Sequence, residues 1–167
     1  SIKGGKTRCI LGAVGQGNVG IDGVDGTGAG NRSGTFTVNG TLLVTNIVYI
    51  STNNTAGACA FVINTGGYVR TAQVSSAASG AAGHTFTMAA GATLELTGVT
   101  AAWATYSATN NTFLFHANSL VDYTGMGTQN VAAVAGGYGN LRIGGRGNKS
   151  LGGDRLGKGD LAIANPL

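Results

Sequence analysis

The sequence predicts an all-β fold wound as a parallel β-solenoid, and three observations lead to that expectation. The triplets Val121-Asp122-Tyr123, Leu141-Arg142-Ile143 and Leu161-Ala162-Ile163 follow one another at a constant twenty-residue spacing, each setting two apolar side chains around one outward position. The stretch from Gly139 to Ile163 reads as strand, glycine turn, short strand, glycine turn, strand, with turn glycines at Gly144-Gly145, Gly147 and Gly152. A third signal is an echo: Thr35-Phe36-Thr37-Val38-Asn39-Gly40-Thr41-Leu42-Leu43 returns fifty residues later as Thr85-Phe86-Thr87-Met88-Ala89-Ala90-Gly91-Ala92-Thr93-Leu94. A period of about 20–27 residues is that of a solenoid coil, which hides its inward side chains only by stacking on its neighbours.

Composition agrees with this class. The chain has 167 residues, 31 Gly, one Pro and 10% charged residues, against about 25% charged and about 7% Gly in ordinary domains. Its surface must therefore be solvated by Ser, Thr, Asn and backbone. A hydrophobic fraction of 43% in short alternating runs excludes general disorder, and the scarcity of Pro excludes collagen. We expect one domain over 1–167, with a Gly-rich opening at 1–33 and repeating coils over 34–167.

Taken in order, the opening holds one clear apolar run, Cys9-Ile10-Leu11. The strand pair around Asn39-Gly40 follows, because β-branched and aromatic residues alternate on both sides of a turn dipeptide. Further strands are expected at 47–50, 58–63, 68–74, 103–106 and 112–116. Helical periodicity is nearly absent; the best exception, 77–82, is interrupted by Gly80 and too short to stand as a helix. About seven coils at about 4.8 Å each give a prism roughly 35 Å tall. Neither terminus offers an amphipathic capping helix, and Leu161 and Ile163 sit in a terminal strand. Such an edge either continues into further repeats or stacks on another copy. The alternative fold is a β-sandwich, whose consecutive strands are mostly antiparallel.

The net charge is +4, and between Ser33 and Leu141 the only charged residues are Arg70, Glu95 and Asp122. The basic residues gather at the ends, and the C-terminal group from Arg142 to Lys158 has no interleaved aromatic, which argues against nucleic acid as a partner. No run of 18 apolar residues is present, so no spanning helix and no membrane insertion are expected. The start at Ser1 fits a processed product or an excerpt of a longer chain. Cys9 and Cys59 form an even pair whose disulfide would close a loop of about fifty residues, with a stabilisation of roughly 3–4 kcal/mol; two separate buried thiols are the alternative.

From Asn118 to Ile163 the chain resembles a Gly/Thr/Asn-rich β-solenoid repeat of secreted surface adhesins and fibre proteins of Bacteroidetes-type bacteria. The matching residues begin with Val121, Tyr123, Gly125, Gln129 and Val131, continue through Tyr138-x-Asn140-Leu141-x-Ile143, Gly145 and Gly147, and end with Lys149-x-Leu151 and Gly159-x-Leu161-x-Ile163. Arg155 and Asp160 depart from the pattern, where small polar residues are usual. The resemblance implies an extracellular or cell-surface structural role and no catalytic residue.

Motifs that point to chemistry are weak. Gly15-x-Gly17-x-x-Gly20 matches a dinucleotide fingerprint, but Ile21-Asp22-Gly23-Val24-Asp25-Gly26 cannot open the helix that mechanism needs. Gly147-Asn148-Lys149-Ser150 lacks the Gly before Lys of a phosphate loop. Asp22 and Asp25 in a Gly-rich segment offer two carboxylates for calcium, while local backbone turns explain them as well. Glu95 and Asp122 alternate outward and are candidates to meet on one face, yet as surface charge they need no enzyme, and none is expected. His84 and His116 have no acid or Cys at ligand spacing.

The functional expectation is a non-enzymatic extracellular fibre or adhesin segment assembling with other copies of itself or with flanking repeats. The alternative is a glycan-binding module using Trp103, Tyr106, Tyr49 and Tyr68. A Thr-rich ice-binding face is a further rival, weakened by the lack of a sustained Thr-x-Thr ladder. The twenty-residue register makes one sharp structural expectation: Asp122 and Arg142 occupy the same outward slot on adjacent rungs and should pair as an exposed ion pair.

Overall fold

The computed structural model describes residues 8–11, 19–22, 34–50, 58–75, 83–99, 103–104, 111–151 and 159–163. Among them the chain is all-β. The strands are β1 (Arg8–Leu11), β2 (Val19–Asp22), β3 (Gly34–Val38), β4 (Thr41–Leu43), β5 (Ile47–Tyr49), β6 (Cys59–Ile63), β7 (Tyr68–Thr71), β8 (Gln73–Ser75) and β9 (His84–Met88). They continue as β10 (Thr93–Leu96), β11 (Trp103–Ala104), β12 (Asn111–Phe115), β13 (Leu120–Tyr123), β14 (Gln129–Val131), β15 (Asn140–Ile143), β16 (Lys149–Leu151) and β17 (Leu161–Ile163). The short helix weighed at 77–82 lies outside the described residues.

From β3 to β13 successive strands visit three sheets in rotation. A four-stranded sheet runs β12-β9-β6-β3, a six-stranded sheet runs β17-β15-β13-β10-β7-β4, and a five-stranded sheet runs β1-β2-β5-β8-β11; β14 and β16 form a separate pair. Among the described strands every pairing is parallel except β1 with β2. That rules against the antiparallel sandwich. The exception has a local cause, since a connection as short as that between Leu11 and Val19 suits antiparallel neighbours better than a parallel crossover. Among the described residues the opening adds its two strands to the five-stranded sheet, and the longest sheet has six strands.

The repeats seen in the sequence are lateral neighbours in space. Phe36 pairs with Phe61 and Phe61 with Phe86, two equal steps that together make the fifty-residue echo. Val121, Leu141 and Leu161 align in the two shorter steps of the triplet spacing. The step shortens because β12 is the last strand of the four-stranded sheet, so the chain goes from β13 and β14 straight to β15.

Alternation fixes what each sheet hides. In the four-stranded sheet Phe36, Phe61 and Phe86 stack with ring centroids 5.3 Å apart at each step, and Phe86 meets Trp103 and Phe115 edge-on. In the six-stranded sheet Val69, Leu94, Val121 and Leu141 form one buried column, with Leu96, Tyr123 and Ile143 in the next. Val19, Val48, Val74 and Trp103 line up in the five-stranded sheet. Like side chains pack on like, so each strand presents the next with a surface of matching shape.

Candidate functional site

The outward column of the six-stranded sheet gathers all three charged residues that the sequence spares between Ser33 and Leu141. Register places Leu43, Arg70, Glu95, Asp122, Arg142 and Ala162 side by side on consecutive strands. Two carboxylates therefore lie in adjacent slots, flanked by an arginine on each side. Arg70 Nε lies 3.4 Å from Glu95 Oε1, and Arg142 donates to Asp122 Oδ2. Glu95 also accepts from Tyr68 Oη and, at 2.7 Å, from Thr124 Oγ1. Glu95 and Asp122 thus meet on one face, as alternation allows.

One expectation about this column needs correcting. Asp122 reads as an exposed surface charge in the sequence, but its side chain is only 4% exposed while that of Arg142 is 49% exposed. The longer Arg142 reaches the short Asp from the neighbouring strand. Asp122 Oδ1 is buried with no hydrogen-bond partner.

The electrostatics follow from these contacts. Burial works against ionisation of Glu95, but hydrogen bonds from Tyr68 and Thr124 and the charges of Arg70 and Arg142 outweigh it and hold its carboxyl below the usual range. The Tyr68 phenol is pushed up to about 12 by burial, reinforced by its bond to Glu95. Arg142 is raised further by its hydrogen bond to Asp122. Each carboxylate of the column thus faces an arginine, Glu95 with Arg70 and Asp122 with Arg142, which describes a structural seam more than a pair of carboxylates poised for proton transfer.

The remaining candidates are scattered. Trp103, a candidate for stacking on a sugar, is instead buried in the core, and its indole N–H donates to Tyr123 Oη at 2.8 Å. The cause is its place in the inward column with Val48 and Val74. Tyr49 and Tyr68 are half-buried on different sheets, so the structure does not gather them with Trp103 into a platform. Tyr106 and Asp25 lie outside the described residues, as do the side chains of Asp22 and Cys9. Among the described residues no group of three His, Cys, Asp or Glu assembles as for a metal.

The disulfide expected between Cys9 and Cys59 rests on the Cys9 side chain, which lies outside the described residues. Cys59 itself is buried at the start of β6 in the four-stranded sheet. It packs beside His84, its N–H donating to His84 Nδ1 at 3.1 Å. His84 is 1% exposed with Nε2 unpartnered, and burial lowers its pKa. The Thr-rich outer face reads Thr35, Ala60, Thr85, Thr112 and Thr37, Val62, Thr87, Leu114 by register, an interrupted ladder as expected.

Several polar residues tie neighbouring strands and turns together without any signal in the sequence that marks them for it. Lys149 Nζ donates to three carbonyls, Gly125 O at 2.7 Å, Gly127 O at 2.9 Å and Arg146 O at 2.9 Å. Gln129, fully buried, accepts from Gly125 N–H and donates to Leu96 O and Gly98 O. Tyr138 Oη donates to Ala132 O, which leaves the Tyr123 hydroxyl to donate to Tyr138 at 2.9 Å. Lys149 and Gln129 in this way satisfy turn carbonyls and the Gly125 N–H.

At the C-terminal end, side chains that alternation points inward lie bare. Leu161 is 40% and Ile163 73% exposed. A hollow of about 400 Å³ opens beside them, lined by Ile143, Gly144, Gly145, Gly147, Lys149, Leu151 and Ile163. No helix among the described residues is long and apolar enough to cross a membrane. No protein-family model, curated protein or solved structure matches this chain.

Proposed function

We propose that the chain is a parallel β-solenoid with a structural role, a non-enzymatic subunit or segment of an extracellular, cell-surface fibre or adhesin that assembles end to end through open β-edges. The observation behind this reading is the six-stranded sheet, whose inward columns keep register from β4 to β17 and end on exposed Leu161 and Ile163. A parallel sheet that stops on bare apolar residues gains burial and hydrogen bonds by acquiring another strand. The charged column points the same way, because its ionic groups neutralise one another across rungs. The resemblance of 118–163 to secreted surface repeats supplies the extracellular setting.

Electron microscopy of the native protein without denaturant tests the reading. Filaments with an axial repeat close to the height of one subunit are expected. Dispersed particles at all concentrations would overturn it and leave a capped binding module in its place.

A further inference from the structure

Resting on the end-to-end reading, we infer that the partner at the open end is a second copy of this chain, docked head to tail so that β17 of one copy pairs in parallel with β4 of the next. The six-stranded sheet is the one that persists through both the longer and the shorter rungs, and β4 and β17 are its outermost strands among the described residues. Its columns have matching chemistry at the two ends. Leu161 and Leu42 occupy one inward column, through Leu141, Val121, Leu94 and Val69. Ile163 continues the adjacent column of Ile143, Tyr123, Leu96 and Thr71, whose next position beyond Thr71 is Val44, with Val44 N–H bonded to Arg70 O at 2.8 Å.

Joining the two ends therefore sets Leu161 on half-buried Leu42 and brings Ile163 to the column position of Val44, which is already 6% exposed in the single chain, so the new apolar burial comes chiefly from Leu161, Ile163 and Leu42. The outward column meets as Ala162 against Leu43, which is 66% exposed, so no charge is buried and no like charges face each other. The four charges of that column lie one or more strands back from the junction. Direction is set by the strands themselves: all members of this sheet run parallel, so a copy related by translation along the stack offers a parallel partner, whereas a copy turned over offers an antiparallel one with these columns out of step. Unlike ends joined by translation along the stack do not close into a ring and give an open filament.

The test is a pair of cysteines, Leu43→Cys and Ala162→Cys, in a chain whose Cys9 and Cys59 are replaced by Ala. Adjacent strands stand about 4.8 Å apart, within the span of a disulfide, about 4.4–6.8 Å between Cα atoms. Mild oxidation of the double variant should give a ladder of covalent multimers on non-reducing electrophoresis, and neither single variant should. Filaments by microscopy with no such ladder would overturn the β17-to-β4 junction and leave the fibre reading standing; efficient dimers from either single variant would replace it with a symmetric junction. Absence of filaments altogether would sink the fibre reading itself. Ile163→Asp supplies an independent check, since Ile163 is largely exposed in the single chain. It should keep the β-rich circular dichroism spectrum and abolish filaments, and filaments that persist in it would overturn the junction.

Discussion

Arg142 donates to Asp122 Oδ2 from the directly opposite position on the neighbouring strand, while Oδ1 of the same carboxylate is buried without a partner. The pair is thus lopsided, one member enclosed and the other half in solvent. Removing Arg142 leaves a buried carboxylate uncompensated, which costs more than losing an exposed pair. Arg142→Ala is expected to destabilise by about 1–3 kcal/mol, read from the denaturation midpoint. Arg142→Ala combined with Asp122→Ala should cost less than the sum of the two single changes. A single-variant loss within about 0.5 kcal/mol, the level of an ordinary surface site, would mean the enclosure of Asp122 does not matter.

The phenylalanine stack gives a second prediction. Phe61 is fully buried with one ring on each side at 5.3 Å, so Phe61→Ala opens a gap that two adjacent rungs line and neither can fill. A loss of about 3–5 kcal/mol is expected. Phe61→Leu should recover much of it. Equal losses for both would point to the aromatic contacts and not the cavity as the source.

How much of this is legible in the sequence depends on which link is asked about. Alternation and period locate nearly every described strand, and the Asp122 to Arg142 register follows from counting one triplet spacing, because a parallel stack repeats one geometry at each step. What counting misses is depth. It places Asp122 outward correctly and exposed wrongly, since cover comes from the lengths of neighbouring side chains and not from strand direction. Trp103 suggests a sugar platform because large aromatics serve both cores and binding faces, and only its column with Val48 and Val74 decides between them. Val19–Asp22 escapes notice as a strand because two of its four residues, Gly20 and Asp22, are poor strand formers.

Lys149 is the clearest case of a charged residue devoted to backbone. Its three acceptors come from two turns on neighbouring rungs, Gly125 and Gly127 on one and Arg146 on the next. Lys149→Met keeps the length of the apolar stem and removes the donors. It should destabilise by about 1–3 kcal/mol, and hydrogen exchange should quicken at Gly125 to Gly127 and at Arg146 to Gly147 more than in the phenylalanine stack. Uniformly faster exchange would show that the lysine does not hold this corner locally.

Acid and alkali should weaken the fold through different residues. Burial lowers the pKa of His84, so the unfolded chain takes up a proton first, near about pH 6.5, and stability falls as the pH drops from there towards the folded value. Glu95 is held below its usual range by its partners; its contribution is present above about pH 4.3 and is lost as the pH falls through the folded value. Tyr68 works in the other direction. With its folded pKa pushed up to about 12, its contribution is intact below the unfolded value of about 10 and disappears as the pH rises through 12. Denaturation midpoints measured from pH 3 to 11 should therefore show an acid decline in two stages and a separate alkaline decline. His84→Gln should remove the first stage alone, Glu95→Gln the second, and Tyr68→Phe the alkaline one. A His84→Gln profile that still declines between pH 6.5 and 5 as the parent does would mean that the buried imidazole is not the group being protonated.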